Sequence, residues 1–158
     1  MKNEAPARPK SIPQMYPRLY SSDTFLNAVD APVVLALVQL GRGKPDEALR
    51  TLEPSKPYEF GTHAGLLPNY IRALAYLRMK KADEAIAEFS RVLGHRGLEP
   101  LNPICPMAQL GVARAYAASG ERSKAKAAYE EFFAEWKAAD GDIPALKDAK
   151  GEYAKLGQ

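Results

Sequence analysis

Three stretches of this chain fall into one register, and that recurrence restricts the fold more than any other feature. "GKPDEALRTL", "KKADEAIAEF" and "GERSKAKAAY" align so that Ala48, Ala85 and Ala125 coincide, with Leu52, Phe89 and Tyr129 four residues further on. The alanines stand 37 and 40 residues apart. Ala36, Ala73 and Ala113 precede them by twelve residues, and Tyr76 and Tyr116 precede the last two by nine. Residues four apart share one face of a helix. A small residue, a turn, then a small residue and a large one therefore describes a helical hairpin. Small side chains let two backbones approach, and the large ones fill the space beside them.

The rest of the chain is consistent with helix. Alanine is abundant while Val and Ile are scarce, and no segment of useful length alternates with period two, so no sheet is expected. The hydrophobic content of 46% is that of a globular chain, and 158 residues suffice for one core. The spacing predicts a first helix from Pro32 to Leu40 and a second from Pro45. "LPNYIRALAYLRM" and "ADEAIAEFSRVL" form the next pair, stopped by Gly94. "PMAQLGVARAYAAS", stopped by Gly120, pairs with "RSKAKAAYEEFFAEWKAA". A last helix, "PALKDAKGEYAKL", follows Asp142, read as its N-cap. Its apolar stripe of Leu146, Ala149, Tyr153 and Leu156 faces in, while Lys147, Asp148, Lys150, Glu152 and Lys155 face out. Residues 1–20 carry Pro6, Pro9, Pro13 and Pro17 without apolar periodicity and read as an extended arm or linker.

The register resembles the tetratricopeptide repeat, whose period is about 34 residues, with the extra length falling in the connections "EPSKPYEFGTHAG" and "GHRGLEPLNP". The resemblance runs from Ala31 to Ala139, with repeats over 29–60, 66–99 and 106–139 and a cap helix over 144–156. Gln39 stands where the other repeats have tyrosine, and Arg72 where the motif usually has leucine. It implies an all-α, right-handed α-solenoid of about three hairpins plus a capping helix, spanning residues 21–158. "YIRALAYL", "AEFSRVLGHRG", "NPICPMAQLGVARAYAASG" and "DIPALKDAKGEYAKL" further resemble the C-terminal repeat region of acidobacterial serine/threonine kinases of eukaryotic type and of related winged-helix regulators. That resemblance implies a regulatory or sensory signalling module without its output domain.

Motifs for chemistry are absent from the sequence. No kinase glycine-rich loop, HRD or DFG motif occurs. "GRGKP" fails as a phosphate loop, because Val38 stands where glycine and Pro45 where Ser or Thr would be required; it reads as a turn. His63 and His95 lack the spacing of metal ligands, and His95 follows a helix end, where it can bond the last carbonyls. Cys105, the single cysteine, reads as a small packing residue. The pairs Asp46–Glu47, Asp83–Glu84 and Glu130–Glu131 diverge by about 100° on a helix and cannot act as catalytic dyads. No catalytic residue, metal or cofactor is expected. With 22 basic and 19 acidic residues interspersed, no nucleic-acid footprint is expected either. "VVLALVQL" is too short to span a bilayer, and "MKNEAPARPK" lacks the apolar stretch of a signal peptide. The expected compartment is cytoplasmic as the chain stands, or outside the cytoplasm if a parent protein has an upstream span.

The solenoid reading assigns a concave, partner-binding wall to Val33, Leu37 and Leu40, then Leu67, Tyr70, Leu74, Leu77 and Arg78, then Met107, Leu110 and Arg114. The two-carboxylate clamp of some tetratricopeptide domains is not expected, since its positions carry Val33, Leu37, Ile71, Met107 and Gly111. An apolar groove with a basic side suits a protein or peptide with aliphatic anchors. The alternative is self-association of the parent as a homodimer. Arg72 and Arg114 lie inside apolar helices, either paired with an acid such as Glu88 or Glu131 or, for Arg114, facing the groove. Tyr129, Phe132, Phe133 and Trp136 form a stripe read as the seam for the cap helix. The arm's Ile12, Met15, Tyr16, Leu19 and Tyr20 either cover the groove or belong to a linker.

Overall fold

Prolines mark where the helices begin, because a residue without an N–H is tolerated only in the first turn. In the computed structural model, which describes residues 24–157, Pro32, Pro45, Pro68 and Pro144 each occupy the first or second position of a helix. The helices are α1 (Ala31–Gly41), α2 (Pro45–Thr51), α3 (Leu67–Arg78), α4 (Ala82–Gly94), α5 (Ile104–Ala118), α6 (Arg122–Glu135) and α7 (Pro144–Lys155). Short 3-10 turns lie at Glu53–Tyr58 and Arg96–Leu98. Among the described residues there is no strand. The arm and the start of the predicted domain at residue 21 lie outside the described residues.

Four boundaries differ from expectation. Helix does not begin at Pro32: a π-helical turn, Leu26–Asp30, leads directly into α1, with the Ala31 N–H bonded to the Leu26 carbonyl. Pro32 has no N–H to donate and its ring crowds the preceding turn, so the ladder widens there. The first turn of α5 starts two residues before Pro106, where the Ile104 N–H donates to Asn102 Oδ1 at 3.0 Å. Asp142 is not the cap of α7; Ile143 holds that position, without a side-chain bond. Finally, α6 stops at Glu135, with Trp136 as its C-cap.

Packing follows chain order. α1 lies on α2 and α3, α2 on α3, α3 on α4 and α5, α4 on α5, α5 on α6, and α6 on α7. All six register alanines, Ala36, Ala48, Ala73, Ala85, Ala113 and Ala125, are fully buried, as are Leu52 and Phe89; Tyr129 is all but buried. Among the described residues the core has two clusters. One joins Val29, Val33, Ala36, Leu40, Ala48 and Leu52 to Ile71 and Ala75. The other runs from Leu66 and Ala73 through Phe89 and Leu110 to Phe132, Leu146 and Ala149, and half-buried Leu74 touches both. Gly111 leaves room for a ring: a β-carbon there would fall within 3.0 Å of three ring carbons of Phe89.

Candidate functional site

The apolar positions expected on a partner-binding wall divide into three groups. Val33, Leu40 and Leu110 are core residues with almost no surface, which corrects their placement on a binding wall. They sit on the stripes by which α1 and α5 pack, so burial there is required by the fold. Leu67, Tyr70, Leu74 and Leu77 of α3 and Met107 of α5 are half-buried, packed against the core clusters with one side open. Leu37 is 44% exposed and shares its open side of α1 with Val34 and Val38.

The two basic positions are engaged. Arg78 is exposed, and its Nη1 donates to the Leu40 carbonyl at the C-terminal turn of α1. Arg114 makes a two-pronged ion pair with Glu152 of α7, Nε to Oε2 and Nη2 to Oε1 at 2.9 Å each. Glu152, not Glu131, is thus its partner, and Glu131 accepts from Gln109 instead. Tyr129 OH also donates to Glu152 Oε2 at 2.7 Å. Burial pushes the Tyr129 hydroxyl strongly up, and its bond to the Glu152 carboxylate adds to the shift. Burial alone would raise Glu152, but the hydrogen bonds from Arg114 and Tyr129 outweigh it and hold the carboxyl below its ordinary 4.5. The aromatic stripe forms the expected seam: Tyr153 of α7 meets Tyr129 and Phe133 edge-on, at 6.1 and 5.7 Å between ring centres.

A feature the sequence did not disclose occupies the connection between α2 and α3. Glu59, 6% exposed at its side chain, ties that loop to the second hairpin. Its Oε1 accepts from Arg72, and its Oε2 from Asn69 Nδ2 at 3.1 Å and from Arg91 at 3.0 Å. Glu88 closes the group, accepting from Asn69, Arg72 and Arg91. Arg72 is therefore buried and paired with an acid, as expected, with Glu88 among its partners. Phe60 adopts a left-handed φ of 61°, a strained conformation for a bulky residue. It is clamped between His95, stacked at 3.8 Å, and the Arg91 guanidinium at 5.2 Å. The His95 ring also bonds the Arg91 carbonyl through Nδ1 at 2.8 Å, the helix-end contact expected of it.

This pinned loop forms one wall of an open cavity of about 480 Å³, lined by Phe25, Pro57, Tyr58, Glu59 and His63 among others. Phe25 meets Tyr58 edge-on at 5.5 Å and His63 at 4.7 Å, and His63 Nε2 pairs with Asp30 at 3.1 Å. Aromatic faces and an imidazole suit a planar or aliphatic side chain. The signal for the loop was its composition: "PYEF" places two aromatics and an acid where a solvated connection would carry Gly, Ser or Asn.

Cys105 is buried, and burial pushes its thiol up despite the opposing pull of Arg96, which fits a packing role. Among the described residues no cluster of His, Cys, Asp and Glu is placed to hold a metal ion, and no helix is long and apolar enough to cross a membrane. Comparison with family models, with curated proteins and with solved structures finds no match.

Proposed function

We propose that the chain is a non-enzymatic protein-interaction module, a solenoid of tetratricopeptide-like hairpins that binds a peptide with aliphatic anchors. The observation that carries this reading is the burial of all six register alanines within helices packed in chain order. That arrangement leaves Leu67, Tyr70, Leu74 and Leu77 as a half-open row on α3, beside Met107 of the adjoining α5. A row of apolar side chains seated on a rigid core can take alternate side chains of an extended chain or one face of a helix. The regulatory part of a bacterial kinase or transcription regulator is the proposed context, and it rests on the sequence resemblance alone.

Selection of a displayed random-peptide library on the folded chain tests the reading. Enriched peptides should carry aliphatic anchors, and Tyr70→Ala and Leu77→Asp should each weaken them by about tenfold or more. Peptides that bind these variants as well as the parent, or no enrichment at all, would refute it.

A further inference from the structure

Among the described residues, α1 and α7 differ in the open face they present. At the C-terminal end, α7 turns Lys147, Asp148 and Lys150 to solvent. The open side of α1 carries Val34 at 45%, Leu37 at 44% and Val38 at 40% exposure. No charged residue occurs between Ala31 and Gly41. Gly41 extends the same face by one more turn, and a β-carbon added there would meet nothing. An apolar helix face of this kind is ordinarily covered by another surface.

We propose that two copies of the chain associate through their α1 helices, packed antiparallel about a two-fold axis. Charge selects both the occupant and the direction. Asp30, half-exposed beside His63, lies one turn before Val34. Arg42 is exposed just past the C-terminal end of α1 and makes no ion pair among the described residues. In an antiparallel pair centred between Val34 and Val38, Val34 of each copy lies against Val38 of the other. Leu37 then falls beside the axis, and Asp30 of each copy comes within reach of the Arg42 side chain of its partner. A parallel pair would set Asp30 against Asp30 and Arg42 against Arg42, which is repulsive. The antiparallel contact is also self-complementary, so it closes as a dimer and does not propagate. It uses the exposed side of α1 rather than the α3 row, so its test needs no peptide and can fail separately from the interaction reading.

Sedimentation equilibrium of the full 158-residue chain decides it, over loadings from about 1 μM to about 1 mM, the range in which a small helix–helix seam should titrate. A reversible monomer–dimer equilibrium is expected. Leu37→Glu, and independently Val34→Lys, should leave only monomer while the far-UV circular dichroism stays unchanged. Arg42→Asp should weaken the dimer about tenfold, and adding Asp30→Arg should recover most of that loss. A monomer at every concentration, a dimer indifferent to both apolar variants, or a charge swap without recovery would overturn the proposal. A dimer that forms only after removal of residues 1–20 would assign the face to the chain's own N-terminal segment and overturn it equally.

Discussion

Phe89 of α4 lies with its ring against the backbone of Gly111 in α5, leaving no room for a β-carbon. Here the second hairpin seats itself on the third, and glycine is needed for space and not for any unusual φ. Gly111→Ala removes a helix-weakening residue, which on propensity alone would stabilise by about 1 kcal/mol. The clash with a fully buried ring should reverse that sign and cost about 1–3 kcal/mol. Chemical denaturation of Gly111→Ala, Phe89→Leu and the double variant would show it. The double variant should be more stable than the sum of the two singles.

Ala85 is fully buried, whereas Ala87, two residues on, is exposed. Ala85→Leu should overpack the hairpin and cost about 1–3 kcal/mol, while Ala87→Leu should change the urea midpoint little. Equal effects would show that the register of α4 is misplaced.

Removing Arg72 should unmake more than one bond, since its side chain is buried and so is that of Glu59. Arg72→Ala strands the Glu59 carboxylate with only Asn69 and half-exposed Arg91, and the expected cost is about 3–5 kcal/mol. Arg72 Nε and Nη1 have no partner among the described residues, so the ion pair is incompletely satisfied. Arg72→Met combined with Glu59→Gln should therefore recover much of the loss. Thermal melts of the single and double variants would test this, and a double variant worse than Arg72→Ala would contradict it.

The helices and their alanines were readable in the sequence because they obey local rules: a period near 3.6, proline at starts, glycine at stops. The bond from the first N–H of α5 to Asn102 was readable in kind, as a polar side chain two residues before the helix. The Glu59 cluster was not readable. Its other members lie 10 to 32 residues from Glu59, and nothing local tells a carboxylate in a loop which guanidinium it will meet. The same holds for Arg114, whose partner is 38 residues away on the last helix. Leu110 was misplaced for a different reason. Both sides of α5 are covered, by α4 and α6 as well as α3, so an apolar position there faces protein in almost every direction.

Glu152 makes stability depend on acidity. Its folded-state carboxyl titrates below the ordinary 4.5, because Arg114 and Tyr129 stabilise the anion. A depressed value means that the contribution is fully present above the unfolded value and is lost as pH falls through the folded one. The gap in urea midpoint between the parent and Glu152→Gln should thus be wide at pH 7 and narrow steadily below about pH 4.3. A gap that is constant from pH 7 to pH 3 would show that the ion pair does not operate.

Truncation before Pro144 should uncover Tyr129 and Phe133, which α7 covers through Tyr153. The shortened chain should bind a hydrophobic dye more strongly and melt earlier than the parent. An unchanged melting temperature would mean that α7 is an ornament to the array and not its cover.

Trp136, the single tryptophan, caps α6 with its ring 5.2 Å from Phe132, far along the chain from the α1–α2 hairpin. Its fluorescence is consequently a local witness. Heat or urea that frayed only the first hairpin would dim the helical ellipticity and leave the indole emission untouched. Superimposable curves from the two optical signals would instead mean that the cores around Ile71 and Phe132 melt as a single thermodynamic unit.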